Sequence, residues 1–280
     1  MAAPQWVADE QLPEALRPNY GREYQIRVVY GPHGAPEFFT SADIDAFFAA
    51  SWQVHYNSSR TGVRLIGPKP TWARTDGGEA GLHPSNIHDN AYAFGSIDFT
   101  GDMPVILGPD GPSLGGFVCP ATVIHADLWQ LGQLKAGDTV RFIPVSLAQA
   151  DALAQAAEQM FDTLEAQVID VVTDMSSPII YAREQNDARP AVAYRAAGDR
   201  FILIEYGEMV LDIVLRFRVH ALMQWLQANP LVGMLELTPG IRSLQVHFDA
   251  LLCSRASLLA HLHTAEEALG DLSESVVPSR

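Results

Sequence analysis

Three short stretches between residues 57 and 117 bring together side chains that could bind and transfer a small acyl group. In Asn57-Ser58-Ser59-Arg60-Thr61-Gly62 an arginine stands among small hydroxyl residues. Its planar fork can donate two parallel hydrogen bonds, which suits a carboxylate, with Thr61 as a second donor. In Gly77 to Asn86 the polar residues are Glu79, His83, Ser85 and Asn86. His83 or Glu79 could take a proton from an attacking nitrogen, while Ser85 and Asn86 offer donors and acceptors to a small neutral amide. In Gly115-Gly116-Phe117 the paired glycines allow close approach of a flat ligand, and their N–H groups could face a developing oxyanion. Each stretch has a plainer alternative: a β-turn with a surface arginine, a histidine held by backbone groups, and a bulge at a barrel corner. His88 and Asp89 offer a weaker version of the acid–base pair, and His33 and His55 read as packing or surface residues.

Other chemistries find little support. No His, Cys or carboxylate set has metal-ligand spacing, and neither a phosphate-cradling glycine loop nor a nucleophile elbow is present. His261 and His263 lie two apart on an expected helix and diverge. Cys119 and Cys253 are too few and too isolated for a disulfide framework and read as ordinary thiols. The net charge of -15 argues against nucleic acid or an anionic membrane as partner. No apolar run reaches the length of a membrane span, so the expectation is a soluble, cytoplasmic protein. With 48% hydrophobic and 18% charged residues over 280 positions, one or two cored domains fit.

The elements that must position these residues are legible as follows. Residues 1–23 form a proline-marked lead-in. Tyr24 to Val29 alternates as a strand, and Phe38 to Trp52 reads as a helix capped by Thr40 or Ser41. Strands then dominate to Pro144, among them Ala93 to Phe99, Val105 to Leu107, Ala121 to His125 and Thr139 to Ile143; the turn at Leu134 to Asp138 drops the chain into an edge or closing strand. Ser146 opens a helix to about Gln167, with Leu147, Ala150, Leu153, Ala157, Met160, Phe161 and Leu164 on one face. Asp174 to Ala191 suits an exposed linker. A second unit runs strand, helix, two strands, helix: Arg200 to Tyr206, Leu211 to Gln227, Met234 to Leu237, Ser243 to Phe248, and a last helix from Ser254 to Leu269 stopped by Gly270. Leu222 is expected against strands carrying Phe201, Leu203, Leu244 and Val246. The order is an incomplete ferredoxin-like sandwich.

The pieces SRTGVRLIGPKP, GGEAGLHPSN and GPDGPSLGGF resemble the second half of the allophanate-hydrolase-subunit-2 type domain, closest to its urea carboxylase branch. AGDRFILIEYG and ELTPGIRSLQVHFD resemble the front half of a subunit-1 type domain, which is related to a bacterial inhibitor of a sporulation kinase. The resemblance implies a β-rich, cyclophilin-like barrel at 24–145, a helix and linker at 146–193, a small α+β ferredoxin-like domain at 194–272 and a tail at 273–280. It implies the carboxyltransferase step of urea carboxylase, carboxybiotin plus urea to allophanate. Arg60, Thr61, Ser85 and Asn86 would bind substrate, His83 or Glu79 would act as base, and Gly115, Gly116 and Phe117 would meet the biotin bicycle. Partners would be urea or a related amide and other domains or subunits of the carboxylase. Neither Lys69 nor Lys135 follows a methionine, so biotin would be presented from elsewhere. The family's first barrel-forming half and the later Gly-Phe-x-Pro-Gly-Phe loop are not in these 280 residues, which implies inactivity alone. A 5-oxoprolinase-like amide hydrolase, or a protein-interaction module built on the α+β unit, are the alternatives.

Overall fold

The computed structural model describes residues 13–18, 20–165, 167, 169–186 and 189–269. Most of the expected lead-in, the Gly270 stop and the 273–280 tail lie outside the described residues. Strand β1 (Glu23–Tyr30) buries Tyr24, Ile26 and Val28 on alternate positions, as its pattern requires. Helix α1 (Ser41–Ala49) starts at a capping box in which Thr40 and Asp43 bond each other's backbone N–H. It ends three residues earlier than the sequence suggested. Trp52 instead opens β2 (Trp52–Val54), and its indole N–H donates 3.0 Å to the Phe47 carbonyl.

The remaining strands of the first unit are β3 (Gly62–Ile66), β4 (Asn86–Ala91), β5 (Ser96–Thr100), β6 (Met103–Leu107), β7 (Leu114–Phe117), β8 (Ala121–Val123) and β9 (Thr139–Pro144); a short helix α2 (Leu128–Leu131) precedes β9. Seven strands close into a barrel in the order β1-β8-β5-β6-β3-β2-β9. β9 is the closing strand: it runs parallel to β1 and antiparallel to β2. Closure removes free sheet edges. The interior holds Ile26, Leu65, Ile97, Phe99, Ile106 and Phe142, and α1 lays Phe47 flat on Phe142 at 5.1 Å. β4 and β7 stay outside the barrel as a two-stranded ribbon.

Helix α3 (Leu147–Thr163) begins at Ser146, whose hydroxyl accepts the Gln149 N–H. Only Ala150, Leu153 and Ala154 are buried; Phe161 is 72% exposed and Leu164 lies past the end. The expected apolar face is therefore covered in its first two turns alone. The expected linker also needs correction, because residues within it form β10 (Ile179–Arg183). It joins β11 (Val192–Ala196), β12 (Phe201–Tyr206), β13 (Met234–Pro239) and β14 (Ser243–Phe248) in the antiparallel order β10-β11-β12-β14-β13. Helices α4 (Ile213–Ala228) and α5 (Arg255–Leu269) cover one face. Leu222 is fully buried among Ile202, Ile204, Leu244 and Val246. Phe201 and Leu203 are not in that cluster, since successive strand residues point to opposite faces.

The opposite face of this sheet is polar and buried against the barrel. Glu205 lies between Arg195 at 2.5 Å and Arg242 at 2.7 Å, and Arg195 continues to Glu37 of the first unit at 2.7 Å. His33, read from sequence as a packing or surface residue, is wholly buried here, accepting the Cys119 N–H at Nδ1. A second clasp joins Arg255 to Asp151 of α3 by two bonds of 2.7 and 2.9 Å.

Leu222→Asp should lower stability by several kcal/mol, because it buries an unpaired charge, while Gln224→Asp on the exposed face should stay within about 0.5 kcal/mol. Equal melting temperatures for the two variants would contradict the packing. Glu205→Gln leaves two buried guanidinium groups without a carboxylate and should cost on the order of 3–5 kcal/mol in guanidinium unfolding. A loss below about 1 kcal/mol would mean that the charge network does not hold the two units together.

Candidate functional site

The sequence-predicted residues fall into two groups that the barrel keeps apart. Arg60 sits in the tight turn between β2 and β3, where Ser59 and Gly62 exchange backbone bonds of 3.1 and 3.2 Å. It is 74% exposed, and its fork grips Asp110 at 2.6 and 3.1 Å. Thr61 contributes its carbonyl to the Gly108 N–H at 3.0 Å, which knits the two loops together. Both charges of the Arg60–Asp110 pair face solvent, so an incoming carboxylate could exchange for Asp110 at little cost.

The second group lies at the other end of the same strands. β3 and β6 pair with Gly62 opposite Leu107 and Arg64 opposite Val105. Asp110 therefore neighbours Arg60 at one end, and Asp102, in the β5–β6 turn, neighbours Lys69 at the other. At strand rise the two ends are about 20 Å apart. Asp102 accepts the Trp72 indole N–H at 3.0 Å and lies 3.2 Å from His83 Nε2 and 3.6 Å from Lys69 Nζ. The Trp72 bond first, then His83 and Lys69, hold its carboxyl below the usual range. Arg60 and His83 thus do not share a concave site.

His83 is engaged at both ring nitrogens. Nδ1 receives the Ser85 N–H at 3.2 Å and lies 3.0 Å from the Ser85 hydroxyl, while Nε2 faces Asp102. Neither is free to take a substrate proton without breaking one of these contacts. Ser85 is itself fully buried, and Asn86 offers its carbonyl to Arg74 at 2.8 Å. Glu79, the other candidate base, pairs with His88 at 2.8 Å. This is the weaker His88 pairing of the sequence reading, with Glu79 in place of Asp89; Asp89 instead accepts the Ile241 N–H from the second unit at 3.1 Å.

Gly115 and Gly116 have a structural reason to be glycine that involves no ligand. A Cβ on Gly115 would enter the Tyr92 ring, and one on Gly116 would come within 2.9 Å of the Ile87 carbonyl across the ribbon. Tyr92 fills the space in which a flat ligand was expected, and its hydroxyl accepts the Phe117 N–H at 2.8 Å.

What sequence reasoning passed over is the layer beneath this ribbon. Asp98 alternates with the inward-facing Ile97 and Phe99, so its side chain leaves the barrel, yet it is only 4% exposed. Tyr92, Val105, Leu107, Cys119 and Phe117 form a small apolar cluster on this outer face. Asp98 Oδ1 and Asn90 Oδ1 have no hydrogen-bond partner. Burial pushes the Asp98 carboxyl up to about 7, with the Thr100 hydroxyl and Arg64 opposing the rise. Among the described residues no group of three or more His, Cys, Asp or Glu side chains is placed to hold a metal ion, and no helix is long and apolar enough to cross a membrane.

Residues 2–144 match the family described as carboxyltransferase domain, subdomain A and B, and residues 192–277 match carboxyltransferase domain, subdomain C and D. The chain belongs to the carboxyltransferase domain family. It is 44% identical over 255 residues to the urea amidolyase of Lachancea kluyveri, covering 89% of this chain and 14% of that protein. The crystal structure of the Kluyveromyces lactis urea carboxylase superposes with a TM-score of 0.86 at 43% identity, covering 92% of this chain and 24% of that one. The barrel side also resembles a 5-oxoprolinase subunit of Escherichia coli, 30% identical over 143 residues, half of this chain and 42% of that protein. The chain thus spans between about one seventh and one quarter of the urea amidolyase and urea carboxylase relatives it matches. The expected fold is present, with one amendment: the barrel at 24–145 closes on its own strands, and the α+β unit carries two strands more than the ferredoxin-like order.

Asp98 gives this carboxyltransferase chain a pH signature. A carboxyl whose folded value is raised stabilises the fold fully below its ordinary value of 3.8, and that contribution is lost as pH rises to about 7. Asp98→Asn should therefore match the parent near pH 4 and exceed it at pH 8, by at most roughly 4 kcal/mol. Thermal unfolding at the two pH values checks this; a variant no more stable than the parent at pH 8 would show that Asp98 is not a buried neutral acid.

Proposed function

We propose that this chain supplies part of the carboxyl-transfer centre of a biotin-dependent urea carboxylase, which passes a carboxyl group from carboxybiotin to urea to give allophanate. The observation that carries the reading is the superposition on the Kluyveromyces lactis urea carboxylase, which extends across 92% of the chain and so includes both units. Biotin would supply a carboxyl group carried on a ureido nitrogen, presented by another domain or subunit. Arg60 is the residue of this chain that fits it, because its fork already holds a carboxylate and stands in solvent. Thr61 lies beside it in the same turn. The Gly115–Phe117 segment does not fit the bicycle, since Tyr92 occupies the cradle.

Ser85 and Asn86 shape the loop that carries His83 and orients Asp102 and Lys69; Glu79 and His88 form the charge pair next to it. The same centre needs the remaining subdomains as partners, and in isolation the chain is inactive. A cytoplasmic site of action and a role in nitrogen metabolism follow from the same reading. A second reading rests on the match of the barrel side to the Escherichia coli 5-oxoprolinase subunit; there the substrate is a cyclic amide and the driving cofactor is ATP.

Two assays separate these readings. The chain alone should transfer no carboxyl group, and the complete protein that contains it should consume ATP and bicarbonate in the presence of urea and lose that activity with avidin. Arg60→Ala in the complete protein should raise the KM for the carboxyl donor about tenfold or more, with a smaller change in kcat. ATP turnover that responds to 5-oxoproline and not to urea would overturn the urea carboxylase reading.

A further inference from the structure

Asp98 combines three properties that a structural carboxyl in an outer barrel layer does not need together. Its Oδ1 is buried without a partner. Its Oδ2 side is met by the Thr100 hydroxyl, and the charged or titratable groups around it are Arg64 on β3, Tyr92 at the end of β4 and Cys119 before β8. Val105, its cross-strand neighbour on β6, is apolar. Only one of these groups is cationic, and Arg64 is exposed and makes no ion pair with Asp98. An ionised Asp98 is thus left short of hydrogen bonds, which is the condition of a carboxylate waiting for a donor.

The layer is also thin. Thr100 and Arg64, on either side of Asp98, are exposed, and the overlying Gly116 and Phe117 are half-buried. Asn90, fixed on the ribbon above, presents a second buried acceptor, its Oδ1, and directs its amide Nδ2 to Cys119, which borders Asp98. Two unsatisfied oxygens around one thiol call for a ligand with several N–H donors and no charge. A small primary amide has that composition.

We propose that Asp98 accepts a hydrogen bond, and then the proton, from the nitrogen of a small neutral amide that is the acceptor in carboxyl transfer. The inference rests on the carboxyl-transfer reading and adds the acceptor's site to it. As the amide nitrogen bonds the carboxyl carbon, the bond from that carbon to the nitrogen of an N-carboxylated ureido donor breaks and its electron pair stays on the donor nitrogen. The amide proton passes to Asp98 and from there to the donor nitrogen, so no proton is gained or lost. With its folded value at about 7, Asp98 is part ionised at neutral pH and can work in both directions.

The test on this chain uses urea itself as probe, at millimolar concentrations far below those that unfold proteins. The carboxyl carbon of Asp98, assigned in a 13C spectrum by its loss in Asp98→Asn, is titrated with and without urea. A donor that bonds the ionised form lowers the midpoint, and a fall of about half a unit is expected. A midpoint at the ordinary carboxylate value, or one that urea leaves unmoved, overturns the proposal. In the complete protein, Asp98→Asn should cut kcat about hundredfold with little change in the KM for urea, and remove the rise of kcat/KM through neutral pH. A variant that keeps the parent's kcat and pH profile overturns the catalytic role. If the parent itself fails to carboxylate urea, the functional reading falls, and the carbon titration still decides whether Asp98 binds an amide.

Discussion

The structure depends on one buried carboxylate, Glu205, held between two guanidinium groups at the junction of its units. Burial alone would raise its pKa, but Arg242 and Arg195 together hold it below the ordinary value. Isolated, each of these charges would be costly to remove from water; in the triad, extended to Glu37, they satisfy one another. Arg195 also donates to the Pro32 carbonyl and Arg242 to the carbonyls of Tyr206 and Gly207. The network thus reaches the backbone of both units. Beside it His33 is driven to about 3, chiefly by burial, and stays neutral with Nδ1 as an acceptor. A sheet whose two faces are both buried, one apolar against α4 and α5 and one ionic against the barrel, has little freedom to slide.

That fixed junction sets the position of the ribbon. Asp89 on β4 takes the backbone N–H of Ile241 in the β13–β14 turn, where Gly240 leaves room that a side chain would close. Pinned there, and pinned again by Arg74 to the Pro84 and Asn86 carbonyls, β4 and β7 lie over the outer surface of β5 and β6. The surface they cover would otherwise be wet. Covering it turns an ordinary outward aspartate into a buried acid with a raised pKa, and turns Tyr92 into a wedge that demands glycine at position 115. The chemistry open to this chain therefore arises where a second layer is added to the barrel, and not in the barrel's interior, which is filled with aromatic and branched side chains.

The sequence by itself determined the elements and the kind of protein. Period-two alternation placed β1 and β14, period 3.6 placed α4 with Leu215, Val219, Leu222 and Leu226 inward, and the Ser146 and Thr40 caps set helix starts to the residue. Those signals are local, because they reside in neighbours along the chain. The family, too, was legible in three glycine- and proline-marked pieces, since each turn there imposes its own residue types. Tertiary structure decided what lies across space. Strand β10 was hidden in a polar, proline-marked stretch because an edge strand needs only one partner and little apolar surface. The apolar face of α3 outran its contacts, because periodicity states what could be buried and not what is. Arg60 and His83 look alike in sequence as polar loop residues, yet β3 and β6 hold them at opposite ends. Asp98 reads as an exposed strand residue, and only the ribbon above it, brought there by pairing across more than twenty positions, removes its water and makes it a candidate for chemistry.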